Sequence, residues 1–264
     1  MKLLEVNGIT KIFGGLVAVE NVELYVNEGE IVSIIGPNGA GKTTIYNMLT
    51  GVYNVDGGTI VFNGQEIQNK QPRQIVKAGI ARTFQNIRLF PTMRVIENVL
   101  VGEHIHTQYS FLDLLFRTKK YREEEKACHE RAIALLDSLG LADQIDNYAK
   151  NLPYGMQRKL EIARALATGA KLVILDEPAA GMNPNESAEL MDFIRHLRDR
   201  GITILLIEHD MSVVMNISDR IYVIDHGRKI ADGLPKEIAT NQEVITAYLG
   251  AQRAIDDETD GEEA

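Results

Sequence analysis

The sequence is poor in cysteine, in long apolar runs and in positive charge, and each shortage excludes a class of protein. A single cysteine among 264 residues, Cys128, rules out an internal disulfide and fits a reducing compartment. No apolar stretch reaches the roughly eighteen residues needed to cross a bilayer. The opening residues, Met1-Lys2-Leu3-Leu4-Glu5-Val6, carry an acid and turn polar too early for a secretion signal. The expected compartment is therefore the cytoplasm. No internal repeat and no Pro- or Ser-rich linker divides the chain. The net charge is −9, and five of those nine negative charges fall in 251–264, where six acids face only Arg253. The remaining body is mildly acidic and lacks the basic field that nucleic-acid binding requires. The tail is expected to be solvated and disordered.

What is present is ordinary globular material, with 45% hydrophobic and 25% charged residues, enough for one large domain with a lobe. Short β-branched runs recur at 31–35 (IVSII), 59–62 (TIVF), 172–175 (LVIL), 203–207 (TILLI) and 221–224 (IYVI). Several are apolar on both faces, as in parallel strands covered by helices. Segment 17–26 (VAVENVELYV) alternates instead, which predicts an antiparallel strand with one wet face. Between about 92 and 165 strand signals stop. Within 119–139, Cys128, Ala132, Leu135, Leu136 and Leu139 share one helical face, so this region reads as a helical lobe inserted into an α/β core. Cys128 on that face is expected to fill a core, not to react.

Residues Gly36, Pro37, Asn38, Gly39, Ala40, Gly41, Lys42 and Thr43 spell G-x-x-x-x-G-K-[ST] directly after a strand run, and Thr44–Leu49 read as the helix that follows. Such a loop wraps its backbone N–H groups around phosphate at a helix N-terminus. Lys42 would reach the β- and γ-phosphates, and the Thr43 hydroxyl would ligate Mg²⁺. The matching acids are Asp176 and Glu177, at the end of the run LVILDE. Asp176 is placed to hold the metal shell and Glu177 to polarise an attacking water. Two polar residues extend the set: Gln85 in ARTFQNI, and His209 after the strand TILLIE. A lone Gln in a loop or a lone His at a strand end is usually structural. Beside a phosphate loop and paired acids, both are read as catalytic.

In this order, these pieces resemble the ATP-binding subunit of ABC transporters, over residues 1 to about 250. Gly36–Thr43 match its Walker A motif, Gln85 its Q-loop, Leu172–Glu177 its Walker B with catalytic glutamate, and His209 its switch histidine. Phe13 stands where the family places the aromatic residue that stacks on adenine. The resemblance implies a P-loop, RecA-like α/β core (1–91 and 166–250), an antiparallel β subdomain and an inserted helical lobe (92–165). It also implies ATP with Mg²⁺, the metal held by Thr43, Gln85 and Asp176. The family's signature, Leu-Ser-Gly-Gly-Gln, is here Leu152-Pro153-Tyr154-Gly155-Met156, and the D-loop ends in Asn183 where Asp is usual. These departures touch the side-chain contacts of the signature and D-loop, not the Walker residues.

The stretches GIARTFQNIRLFPTMRVIENVL, YGMQRKLEIARAL and DEPAAGMNP resemble the ATPases of branched-chain amino-acid uptake systems. By that resemblance the partners are membrane permease subunits, a second ATPase subunit and, indirectly, an extracytoplasmic binding protein, with the chain peripheral on the inner face of the membrane. The segment from Gln85 to about Val99, with Ile87, Leu89, Phe90, Met93, Val95 and Ile96, is expected to meet the permease unless those residues form the lobe's own core. An exporter ATPase of similar size stays open. A soluble relative acting on ribosomes or DNA would carry two cassettes or long coiled coils, and neither is visible. A P-loop kinase would lack the signature-like helix and His209.

Pro153 suits the first turn of a helix, which would leave Asn151 or Leu152 as its cap. The N–H groups of Tyr154, Gly155 and Met156 would then lack intrahelical partners and favour an anion. The family resemblance implies that this anion is the ATP of the second subunit.

Overall fold

The computed structural model describes residues 1–249, so the segment read as an acidic tail lies outside the described residues. The chain opens with β1 (Lys2–Phe13) and β2 (Leu16–Asn27), an antiparallel pair, and then enters β3 (Ile31–Ile35). After the phosphate loop come α1 (Lys42–Leu49), β4 (Gly57–Phe62), β5 (Gln65–Glu66), α2 (Pro72–Ala78) and β6 (Ile80–Arg82). The described helices α3 (Val95–Glu103), α4 (Phe111–Phe116), α5 (Lys119–Ser138) and α6 (Tyr154–Leu166) follow with no strand between them. The chain then alternates through β7 (Leu172–Asp176), α7 (Pro184–Asp199), β8 (Thr203–Ile207), α8 (Met211–Ile217) and the hairpin β9 (Arg220–Asp225) with β10 (Arg228–Gly233), before α9 (Pro235–Ala239).

Two sheets result. The smaller is antiparallel, in the order β2-β1-β4-β5, and β2 buries Val19, Val22, Leu24 and Val26 while intervening residues face solvent. The larger runs β10-β9-β3-β8-β7-β6, parallel from β9 to β6. Every residue of β3 and β8 is buried, because helices cover one face of the sheet while the antiparallel sheet, with α1, covers the other. Of the five β-branched runs, Thr59–Phe62 belongs to β4 of the antiparallel sheet, where burial alternates. On α5, Cys128, Ala132 and Leu136 face the core as their spacing predicts. Burial pushes the Cys128 thiol up, which keeps it protonated and unreactive.

Parallel pairing fixes where the chemistry sits. Ile34 of β3 and Asp176 of β7 both lie opposite Ile207 of β8. The phosphate loop, Asp176-Glu177 and Glu208-His209 therefore leave the sheet at one edge, the carboxyl ends of adjacent strands. Open α/β sheets bind ligands at that edge.

Candidate functional site

The phosphate loop is shaped by its glycines and by Lys42. Gly36 has φ +152°, and a side chain there would sit 1.9 Å from the Ile224 carbonyl oxygen, so no other residue fits. The first helical bond of α1 runs from Ile45 N–H to the Gly41 carbonyl at 3.0 Å. The N–H groups of Lys42, Thr43 and Thr44 therefore precede the ladder and are free for an anion. Lys42 is 9% exposed, and its Nζ donates to the Gly36 carbonyl at 2.6 Å and to Pro37 at 2.9 Å. An ammonium carries three donors, so one is left for phosphate.

The acids stand opposite. Burial lowers the Lys42 pKa, while Glu177 and Asp176 oppose that shift. Burial, reinforced by Glu177, raises the Asp176 carboxyl above the usual range. Glu177 is held between the two distant polar residues. Gln85 Nε2 donates to its Oε2 at 2.7 Å, and His209 Nδ1 lies 3.5 Å from its Oε1. Its backbone has φ +44°, a left-handed conformation uncommon for residues other than Gly, Asn and Asp. The structure thus gathers Lys42, Asp176, Glu177, Gln85 and His209 around one point.

Phe13, 40% exposed, packs edge-on against Tyr53 with ring centroids 5.2 Å apart, and Lys11 Nζ lies 5.3 Å from the Phe13 ring centre. Tyr53 was missed in the sequence because nothing local ties it to the β1–β2 turn. Glu208 was also missed. It is buried, accepts from the N–H groups of Ala179 and His209 at 3.2 and 3.3 Å, and so ties the loop after β7 to the loop after β8.

Residues 19–180 match the family described as ABC transporter, and residues 228–254 match the branched-chain amino acid ATP-binding cassette transporter family. The chain is 49% identical, over 94% of its length and 98% of the relative's, to the high-affinity branched-chain amino acid transport ATP-binding protein LivG of Salmonella typhimurium. Identity and coverage are the same for BraF of Pseudomonas aeruginosa. A solved ATP-binding cassette of an ABC transporter in its ADP conformation superposes with a TM-score of 0.83 at 37% identity, covering 95% of this chain and 99% of that one. This chain belongs to the ABC transporter ATP-binding family. It is an ATPase of the cassette type.

Within that family the signature region takes a modified form. The cap of α6 is neither Asn151 nor Leu152 but Pro153 itself (φ −54°, ψ 151°), whose carbonyl accepts from Gln157 N–H at 3.0 Å. Leu152 does not start the ladder: its side chain is buried in the core and its carbonyl accepts from the Gln157 side chain at 2.8 Å. The three N–H groups of Tyr154, Gly155 and Met156 still open the helix without backbone partners. The Met156 side chain packs against the core, and the Tyr154 hydroxyl donates to the Ala180 carbonyl at 3.2 Å. Asn183 is the N-cap of α7, accepting from the N–H groups of Asn185 and Glu186 at 3.0 Å each, a role Asn fills as well as Asp.

The expected permease segment divides. Val95 and Ile96 are buried in the lobe core and Leu89 packs on it, whereas Phe90 is exposed. Beside it lies a cleft of about 500 Å³ between core and lobe, lined largely by apolar groups, including Val52, Ile75, Val76, Phe84, Val101 and Ala165.

A stability prediction follows from Asp176. Its raised pKa means the ionised form is penalised on folding, so the penalty is complete above the raised value and absent below the ordinary carboxylate pKa of 3.8. Asp176→Asn should therefore raise the melting temperature of the nucleotide-free chain at pH 7, by about 2–4 °C per kcal/mol relieved. The difference should vanish as the pH falls below that ordinary value. A melting temperature unchanged or lowered at pH 7 would contradict the desolvated reading of this carboxylate.

Proposed function

We propose that this chain is an ATP-hydrolysing motor subunit of a branched-chain amino-acid importer, peripheral on the cytoplasmic face of a membrane. The observation that carries the reading is 49% identity across 94% of the chain to LivG and BraF, proteins named for branched-chain amino acid transport. No residue of this chain is expected to touch the amino acid. Among the described residues no helix is long and apolar enough to cross a membrane, which suits a subunit docked on separate permease chains.

In this reading the γ-phosphate rests on the N–H groups of the loop and on Lys42, with Phe13 against the adenine. Thr43, Gln85 and Asp176 would hold Mg²⁺. The donor set suits it: all three present oxygen, and the Gln85 amide nitrogen is engaged with Glu177, which leaves its carbonyl for a cation. The crowding of Asp176 by Glu177, in a buried setting, is what a divalent cation would relieve. Bound Mg²⁺ would neutralise charge on the β- and γ-phosphates. Glu177 takes a proton from the attacking water, while Gln85 and His209 fix the orientation of its two oxygens. Tyr154, Gly155 and Met156 present their N–H groups to ATP on a second ATPase subunit. The apolar cleft beside Val101 and Phe84, between core (1–91 and 166–250) and lobe (92–165), takes a short cytoplasmic helix of the permease.

The test is reconstitution. Vesicles holding this chain with its permeases, second ATPase and binding protein should accumulate leucine only when ATP is supplied. In the same preparation, single cysteines placed at Phe90 or Val101 should cross-link to a permease loop. ATP-independent accumulation, or cross-links confined to the ATPases, would overturn the reading.

A further inference from the structure

Arg158 and Glu161 form a fully buried ion pair on α6, 0% and 1% exposed, with 2.9 Å between Nη1 and Oε2. Stability alone does not account for it. A buried pair gives back in attraction about what it loses in desolvation, and an apolar pair of similar volume commonly folds as well or better. Arg158 Nε has no partner at all, a further penalty. What the pair does is reach across to another element. Arg158 Nη1 donates to the Phe84 carbonyl at 2.7 Å and Nη2 to the Gln85 carbonyl at 2.8 Å, while Glu161 Oε1 accepts from Arg88 N–H at 3.1 Å. Three backbone groups flanking Gln85 are thus gripped by two side chains of one helix. The guanidinium is a rigid planar fork, so it meets two successive carbonyls in only one arrangement of that backbone. Glu161 lies three residues along α6 from Arg158, on the same face, and holds the fork in place.

The other end of α6 gives this grip its consequence. Arg158 follows Tyr154 by four residues, so it lies one helical turn from the N–H groups that open the helix. We propose that Arg158 and Glu161 are positioning residues that lock the Gln85 loop to α6, so that a shift of Gln85 at this chain's own ATP moves the helix N-terminus facing the partner's ATP. This rests on the reading that Gln85 and Tyr154–Met156 serve two different nucleotides. One rigid side-chain fork then couples the two sites without a flexible linker.

The experiment places spin-label pairs in the complete transporter, in a Cys128→Ala background. One pair, Asn86→Cys with Lys150→Cys, spans the Gln85 loop and the approach to α6. A second, Asn86→Cys with Lys77→Cys, refers the loop to the core. All three labelled positions are exposed. ATP is expected to change the second distance and leave the first unchanged and narrow. Arg158→Lys keeps a cation against Glu161 but cannot grip both carbonyls. It should make the first distance broad and ATP-dependent. Permease-stimulated turnover should fall roughly tenfold with the half-saturating ATP concentration unchanged. The double variant Arg158→Met with Glu161→Leu, which leaves no orphan charge, should behave alike and guards against misfolding of the single change. A first distance that shifts with ATP in the unmodified chain, or stays narrow in both variants, overturns the lock. If Asn86 does not move relative to Lys77, the reading of Gln85 as the nucleotide-responsive residue fails first, and the coupling with it.

Discussion

Replacing Glu177 by Gln is expected to slow ATP hydrolysis about 10²–10⁴-fold while nucleotide binding persists, the usual effect of removing a general base. The substitution is close to isosteric. A glutamine oxygen can still accept from Gln85 Nε2, now 2.7 Å from the carboxylate, so the loop should keep its shape. The left-handed backbone at φ +44° is not altered by a change beyond Cγ. Two electrostatic changes accompany the loss of charge and work in opposite directions. Glu177 helps keep Lys42 protonated against desolvation, and it also pushes up the Asp176 carboxyl. Both act on groups proposed to bind nucleotide or metal, so they should alter affinity and not the proton transfer itself. The decisive measurement is therefore a single turnover on pre-bound ATP in the assembled transporter. Turnover within a few-fold of the unmodified protein would remove Glu177 from its role. A drop explained by lost ATP binding would show that its charge supports binding and not chemistry.

The parts of this site that sequence exposes are the local ones. The phosphate loop, the acids after β7 and His209 after β8 are short contiguous patterns tied to strand ends, and parallel pairing then brings them together with little further specification. β1 illustrates what stays hidden. Its pairing with β2 shifts register between Val6 and Ile9 and again between Ile9 and Lys11, so alternation is interrupted and the strand has no clean period to read. The grip of Arg158 on Phe84 and Gln85 spans more than seventy residues, and the helical pattern of α6 accounts for a buried position without naming what it touches. Pro153 was read one position too far into the helix for a related reason. The Leu152 carbonyl is taken by the Gln157 side chain and the backbone ladder starts at Pro153, a choice of bonds that residue types alone do not specify.

Gly155→Asp should leave ATP binding at this chain's Lys42 site intact and abolish productive closure over the partner's site. Gly155 makes no contact within its own chain that requires glycine. A side chain built there meets nothing within 4 Å in this chain, and its backbone is ordinary helix, so no packing or turn within the subunit requires glycine. Glycine inside a helix nevertheless costs about 1 kcal/mol relative to alanine. A residue that weakens its own helix without a local reason is explained by what approaches from outside. The N–H groups of Tyr154, Gly155 and Met156 open α6 without partners, and close backbone approach to a phosphate requires that no side chain intervene. In the same isolated chain Gly155→Ala should therefore be neutral or stabilising, which separates a folding defect from a binding one. Aspartate adds a carboxylate to the obstruction and sets a like charge against phosphate. The test is a mixed dimer in which one subunit carries Gly155→Asp and nucleotide trapping is scored at each site. Trapping should fail only at the site whose Walker residues belong to the unmodified partner. If the variant's own Walker site fails while the partner's traps normally, α6 acts on its own subunit's ATP, and the assignment of this helix to the second nucleotide is wrong.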